Sequence, residues 1–153
     1  DLTIVRVRSS LTDGSRLRGA RPFSDMVGSW SGSGQARLDG GRTEALKCKA
    51  HYTDRGTGSV GIALRCASAS NKIDLRATLR SAGGSVSGSW EERQFNAAGS
   101  ISGQTAGNRV NLSISGGGLS GSMSVTTAGS RQTVSITTAG TALKGVSIGL
   151  SRD

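Results

Sequence analysis

Residues 48–66 read CKAHYTDRGTGSVGIALRC and contain both cysteines of the chain and its only histidine. When this segment is folded about Thr57 as an antiparallel hairpin, Cys48 lies directly opposite Cys66. Successive residues of a strand point to opposite faces, so the large apolar residues then share one face and the charged residues share the other. A shift of one residue would reverse the faces. The segment therefore predicts a β-hairpin in one particular register.

The opposed cysteines predict a disulfide between Cys48 and Cys66. A non-hydrogen-bonded cross-strand pair brings the two Cβ atoms close enough for this bond, and two buried thiols are the alternative. A structural disulfide indicates an oxidising compartment, so we expect a periplasmic or secreted protein. The chain starts at Asp1 without an apolar leader segment, and we expect the leader peptide to be absent from this form.

The bulk composition is that of one basic domain. The chain has 153 residues, a formal net charge of +9, 24 glycines and only 3% aromatic residues. This length predicts a single hydrophobic core. The positive charge favours an anionic partner, such as nucleic acid or an envelope component with acidic lipid headgroups or acidic polysaccharide, and a solvated basic surface is the alternative. No run of about 18 apolar residues is present, so no transmembrane segment is predicted.

The patterning divides the chain into two regions. Residues 1–25 have no sustained period, and we interpret them as an irregular N-terminal arm that docks loosely or stays mobile. In residues 26–153, short runs of alternating apolar and polar residues are separated by glycine-rich turn signals, which indicates a β-barrel domain. The predicted strands begin near Met26, Thr43, Ser59, Lys72, Ser85, Ser100, Arg109, Leu119, Gln132 and Lys144.

We predict an all-β fold, a single antiparallel up-and-down meander barrel of about 8–10 strands, because closure removes the exposed strand edges. Consecutive hairpins share one inner face. The expected pairs are Cys66 with Ile73 and Leu64 with Leu75 across residues 68–71, Leu75 with Trp90 across residues 81–84, and Trp30 with Tyr52 across a loop at residues 40–42. The residues expected in the barrel interior include Trp30, Tyr52, Leu64, Leu75 and Trp90.

Motifs that suggest catalysis or cofactor binding are explained by the predicted strands. Residues 56–61, GTGSVG, match a dinucleotide fingerprint, but they lie at a hairpin tip and not at a helix N-terminus. Residues 145–149, GVSIG, lack the helix and downstream histidine of a nucleophile elbow. His51 faces away from both cysteines, which disfavours a metal site. We therefore predict no enzyme activity, no cofactor and no metal.

The carboxylates are expected to form ion pairs. Glu91 and Glu92 are neighbours on one strand and point to opposite faces, so they cannot act on one substrate. Glu91 is expected opposite Asp74, and Asp74 opposite Arg65, as a cross-strand charge ladder.

A basic patch is predicted on the outer face of three adjacent strands. It offers a candidate surface for an anionic partner, and a solvated barrel exterior is the alternative. Nucleic acid is disfavoured because the aromatic residues that would stack on bases, such as Tyr52, are expected to face inward. The members of this patch are Lys47, Lys49, His51, Arg65, Lys72, Arg76 and Arg80.

The residues Gly28-Ser29-Trp30 at the head of a meander resemble the G-x-W opening of the calycins, which include lipocalins, avidins and small bacterial protease-inhibitor barrels. The resemblance implies that Trp30 closes one end of the barrel and packs against a basic residue of the last strand, here Arg152. The chain has no counterpart of the second and third lipocalin motifs. Its Gly/Ser/Thr-rich repetition, as in SGSMSVTTAG, also resembles uncharacterised envelope proteins of Gram-negative bacteria.

The leading functional expectation is a non-enzymatic extracytoplasmic protein that holds a small, apolar ligand inside the barrel. Inward glycines would leave space for the ligand, and the alternative is that they permit coiling and close packing of the strands. The other function considered is a protein-interaction module, protease-inhibitor-like as the resemblance implies, or an envelope-structural module, acting through the arm or the basic outer face. The inward glycines are Gly28, Gly32, Gly34, Gly88, Gly103 and Gly121.

Overall fold

The computed structural model describes residues 23–153, which form a closed antiparallel barrel of ten strands. Each strand pairs with the next, and the last pairs with the first. The predicted all-β up-and-down barrel is therefore confirmed. The strands are β1 (Gly28–Leu38), β2 (Thr43–Asp54), β3 (Ser59–Ala67), β4 (Lys72–Ala82), β5 (Ser85–Glu92), β6 (Ala97–Ala106), β7 (Arg109–Gly116), β8 (Leu119–Ala128), β9 (Arg131–Ala139) and β10 (Leu143–Arg152).

The core lies inside the barrel and is built from alternate residues of every strand. Within β2 and β9 the burial pattern alternates almost without exception, as the period of a half-buried strand requires. Within residues 23–153, the one helical element is a short 3-10 turn, Asp39–Gly41, in the loop between β1 and β2. Leucine, isoleucine and valine fill most of the interior.

The hairpin at residues 48–66 has the predicted register. Cys48 pairs with Cys66 and Tyr52 pairs with Ile62, and the two sulfurs form a disulfide with the Cα atoms 4.1 Å apart. The next hairpin also pairs as expected, with Cys66 opposite Ile73. The disulfide closes a sequence separation of 18 residues, and a crosslink of this span stabilises a fold by about 3 kcal/mol.

Two other hairpins are shifted by two residues from the predicted pairing. Trp30 pairs with Ala50 and not with Tyr52, because the loop consists of Asp39–Gly41 and places both of its glycines at positive φ. Trp90 pairs with Ala77 and not with Leu75, because Gly83 and Gly84 form the tip, at φ 60° and 86°. A two-residue turn of this kind favours glycine at both central positions.

These shifts change which charges meet on the outer face. Glu91 pairs with Arg76 and not with Asp74, so the predicted ladder is wrong at that step. Asp74 still pairs with Arg65, although its short ion pair is with Arg76, at 2.9 Å, and the Arg65 nitrogen is 4.0 Å away. A shift of two residues leaves every side chain on its predicted face.

The N-terminal boundary of the packed structure differs from the prediction. Residues 1–22 of the predicted arm lie outside the described residues, and so does the interaction module that the arm would provide. Phe23 belongs to the described part, and it is 4% exposed and packs in the core with Met26. The turn that contains them closes with a hydrogen bond from the Met26 amide to the Phe23 carbonyl, at 3.0 Å. The end of the predicted arm is therefore part of the barrel domain.

Candidate functional site

The two ends of the barrel are built differently. One end, called the closed end here, carries the Phe23–Met26 turn, the C-terminus and the loops that follow β2, β4, β6 and β8. The other end, called the open end, carries the loops that follow β1, β3, β5, β7 and β9. The contrast between these ends decides where a ligand could reach the interior.

Trp30 and Arg152 seal the closed end. Trp30 is completely buried, its Nε1 donates a hydrogen bond to the Met26 carbonyl at 2.9 Å, and the Arg152 guanidinium lies 4.3 Å from the ring centroid. Arg152 also donates hydrogen bonds to the carbonyls of Val27, at 2.8 Å, and Asp25, at 2.7 Å. The contact between tryptophan and a basic residue of the last strand is the one that the calycin resemblance implies.

A buried polar chain lies beside this seal. The Tyr52 hydroxyl donates to Gln132 Oε1 at 2.7 Å, and Gln132 Nε2 donates to Thr127 Oγ1 at 3.2 Å. Burial raises the pKa of Tyr52 far above its usual value, so the phenol stays protonated and remains a donor. Gln132 and Thr127 were not predicted as interior residues, although both occupy inward positions of strands with alternating burial.

The inward glycines do not leave space for a ligand, and this part of the sequence-based expectation is wrong. A Cβ on Gly32 or Gly34 would lie 1.9 Å from a carbonyl oxygen of β10. A Cβ on Gly88, Gly103 or Gly121 would lie 2.0 to 2.3 Å from a carbonyl oxygen of a neighbouring strand, and one on Gly28 would lie 2.8 Å from the Arg152 guanidinium. These glycines therefore allow close approach and coiling of the strands.

The interior is less completely covered at the open end. Leu75 and Ile114 are each 9% exposed and Ile136 is 8% exposed, and Leu119 and Leu143 are half-buried against the core. At the closed end, by contrast, side chains such as Val60 and Leu79 are fully buried. Among residues 23–153, partly covered apolar side chains thus form a rim at the open end and not at the closed end.

Trp90 lies near this rim. Its Nε1 donates a hydrogen bond to the Ser115 carbonyl of β7 at 3.2 Å, and the intervening residue on β6 is Gly99, where a Cβ would meet that same carbonyl oxygen at 1.8 Å. The indole therefore crosses β6 at a position without a side chain. Trp90 is 5% exposed.

Two carboxylates at the open end hold its loops. Glu92 accepts hydrogen bonds from the backbone amides of Gln94, at 2.6 Å, and Phe95, at 2.9 Å. Glu44 accepts hydrogen bonds from the hydroxyls of Ser68 and Ser70, and these bonds hold its pKa below the usual value. Both groups therefore act as caps of turns.

All seven residues of the predicted basic patch lie on the outer face, as their exposure and register show. Lys49 pairs directly with Arg65. His51 and Arg76 lie in one row across the strands, with Ala63 of β3 between them. The patch extends along β4 from Lys72, at the open end, to Arg80, near the closed end. Among the described residues, the Asp74 carboxylate lies within the patch, and Glu91 faces Arg76 from the next strand.

A groove of about 600 Å³ crosses the outer face from β2 to β6. Its floor contains the small residues Gly61, Ala63 and Ser89. Its polar lining includes three arginines, the His51 imidazole and one carboxylate, namely Arg55, Arg76, Arg93, His51 and Glu91. Only His51 and Arg76 belong to the predicted patch, and Arg55 and Arg93 were missed because they lie in loops. Smaller depressions of about 410 Å³ and 380 Å³ lie on β6–β9 and at the open end.

Within residues 23–153, no group of three or more His, Cys, Asp and Glu side chains is placed to hold a metal ion. The described part of the chain also has no helix of the length and hydropathy needed to cross a membrane.

Comparison with known proteins relates this chain to others by fold. No family model and no curated protein matches it. It is similar to Rv2717c from M. tuberculosis (16% identity, TM-score 0.70, covering 86% of this chain and 94% of that one). It is also similar to the S-type phycobiliprotein lyase CPES from Guillardia theta (12% identity, TM-score 0.60, covering 86% of this chain and 90% of that one). A third similar structure is a redesigned β-barrel, mFAP1, bound to DFHBI (12% identity, TM-score 0.52, covering 86% of this chain and 99% of that one).

Proposed function

We propose that the chain is a non-enzymatic, extracytoplasmic binding protein of calycin type that takes up a small apolar ligand at the open end of its barrel. The observation that carries this proposal is the difference between the two ends. Trp30 and Arg152 seal one end, while the apolar rim at the other, including Leu119 and Leu143, is only partly covered. The mouth of a β-barrel is a preferred place for a small-molecule site.

The size of the barrel agrees with a small ligand. A barrel of about eight strands can just be filled by side chains or hold one small molecule, and this one has ten strands. A barrel with the same fold, mFAP1, is bound to DFHBI, which supports the use of this architecture for a small molecule. Because the inward glycines are covered by neighbouring carbonyls, we place the ligand near the rim and not along the barrel axis.

The chemistry of the rim supports binding without catalysis. The carboxylates of Glu44 and Glu92 accept hydrogen bonds from loop residues, and Asp39 forms an ion pair with Lys144 at 3.2 Å. These acidic groups therefore have structural partners. The rim presents leucine and isoleucine side chains, which favour an apolar ligand. The Cys48–Cys66 disulfide supports a location outside the cytoplasm.

Leu119 and Ser120 offer a matched test of the site, because they are neighbours on β8 that face the interior and the solvent respectively. We expect Leu119→Glu to weaken binding of the apolar fluorescent probe 1-N-phenylnaphthylamine by about tenfold or more, since a carboxylate beside a buried apolar ligand is poorly solvated. Ser120→Glu adds the same charge outside the barrel and should change the dissociation constant less than about twofold.

The measurement is a fluorescence titration of each protein, with circular dichroism to confirm that each variant is folded. Equal weakening by both substitutions would place the probe elsewhere. The absence of saturable binding to the unmodified protein would also contradict the proposal.

A further inference from the structure

We propose that the outer groove across β2–β6 is a second binding site, separate from the barrel interior, and that it takes an acidic oligosaccharide. The groove has a volume of about 600 Å³, and most of its lining residues point outward, while Ile62, Ala77 and Trp90 of the inner face also contribute to it. Its occupant would contact arginines and hydroxyls and would never enter the barrel. The inference therefore does not depend on the apolar ligand proposed above.

The positive charge of the groove is only partly neutralised. Arg76 forms an ion pair with Asp74 at 2.9 Å, and Arg93 forms one with Glu91 at 3.3 Å between two half-exposed side chains. Among the described residues, no carboxylate lies within ion-pair distance of Arg55. An arginine of this kind is suited to binding a carboxylate through two parallel hydrogen bonds.

The groove exists because its floor lacks large side chains. Gly61 is buried, and the Arg55 guanidinium lies directly above it, where a Cβ would be 2.7 Å from Nε. Ala63, on the same strand, separates His51 from Arg76 in one row. Because neighbouring strands are about 4.8 Å apart, this row holds the His51 imidazole and the Arg76 guanidinium on strand positions roughly 10 Å apart, with a shallow channel between them.

The lining favours an acidic sugar chain over other anionic partners. The exposed hydroxyls of Thr53, Thr78 and Ser89 line the groove and can exchange hydrogen bonds with sugar hydroxyls. Trp90 is the aromatic residue of this lining, and it is only 5% exposed, so bases would find no stacking surface. Phe95, the exposed large hydrophobic residue of the described part, lines a different depression, so the groove offers a lipid surface no apolar anchor.

The test compares two double variants that remove the same charge. Arg55→Gln with Arg93→Gln alters the groove, whereas Arg109→Gln with Arg131→Gln alters two exposed arginines of β7 and β9 outside it. Binding of a short oligogalacturonate is measured by isothermal titration calorimetry at low ionic strength, with a neutral oligosaccharide of the same length and inorganic polyphosphate as comparison ligands.

We expect the unmodified protein to bind the oligogalacturonate and to ignore the neutral oligosaccharide. The groove variant should weaken binding by about tenfold or more, because two charge-assisted contacts are lost, and the control variant by less than about threefold. Equal weakening by both variants would show attraction by net charge alone and would overturn the proposal. So would tighter binding of polyphosphate, or no binding of the oligogalacturonate. Because the apolar probe is measured separately, failure of one site leaves the other unaffected.

Discussion

Replacing Trp30 with alanine should lower the free energy of unfolding by about 3–5 kcal/mol, the cost usual for removing a large buried aromatic side chain. Trp30 is completely buried, and it joins three parts of the chain: β1, the Phe23–Met26 turn through its hydrogen bond to Met26, and β10 through Arg152. Its loss leaves a cavity at the closed end and an unpaired Met26 carbonyl. Urea denaturation measures the effect, with Trp90 as the remaining fluorescent reporter.

Arg152→Gln is a milder substitution at the same contact. It removes the cation from above the Trp30 ring, a contact that contributes about 1 kcal/mol, and leaves the indole in place. In a double-mutant cycle, the two substitutions should therefore cost less together than the sum of their separate effects. If Trp30→Ala destabilised the protein by less than about 1 kcal/mol, the claim that Trp30 seals the barrel would be wrong.

Replacing Gly34 with alanine should destabilise the protein by about 3 kcal/mol or more, although it adds a single methyl group. The new Cβ would lie 1.9 Å from the carbonyl oxygen of Ser147, which is backbone and cannot rotate away. The strands β1 and β10 would have to separate, and their pairing is the one that closes the barrel. Thermal and urea unfolding of the variant measure this cost.

Gly149→Ala is the matched control on the same pair of strands. Gly149 pairs with Ser33 across the seam, faces outward, and has no atom within 4 Å of an added Cβ. The substitution should leave stability unchanged or raise it by less than about 1 kcal/mol, because alanine restricts the unfolded chain more than glycine does. Comparable losses at Gly34 and Gly149 would contradict the close approach described for the seam.

Much of the fold could be predicted from the sequence because apolar residues alternate so regularly. In residues 48–66 the two cysteines and the alternating apolar residues permit one register, and the structure has it. Where the register was wrong, it was wrong by two residues, at Trp30 and Trp90. Such a shift keeps every side chain on its face, so the hydrophobic pattern does not detect it. The backbone conformation of Gly83 and Gly84 decides between the two pairings.

The candidate sites could be predicted only in part. The outward placement of the basic residues follows from alternation alone. The groove does not, because it depends on Arg55 and Arg93, whose positions beside the sheet are set by the three-dimensional course of their loops and not by alternation. The inward glycines were misread for the same reason. Whether a missing side chain leaves a cavity or admits a neighbouring carbonyl, as at Gly34, depends on how closely the strands approach each other, and a linear pattern of residues does not contain that distance.

The two tryptophans allow a direct measurement of where a ligand binds, because the chain contains no others. Trp90 lies near the open end and Trp30 at the sealed end, so an amide-correlation NMR spectrum shows one indole N–H signal for each. On titration with 1-N-phenylnaphthylamine, the Trp90 indole signal and the backbone amide signals of the rim residues Leu119 and Leu143 should shift together in a saturable manner, while the Trp30 signal stays in place. A shift of the Trp30 signal with Trp90 unchanged, or shifts confined to outward residues such as Ser120, would contradict ligand uptake through the open end.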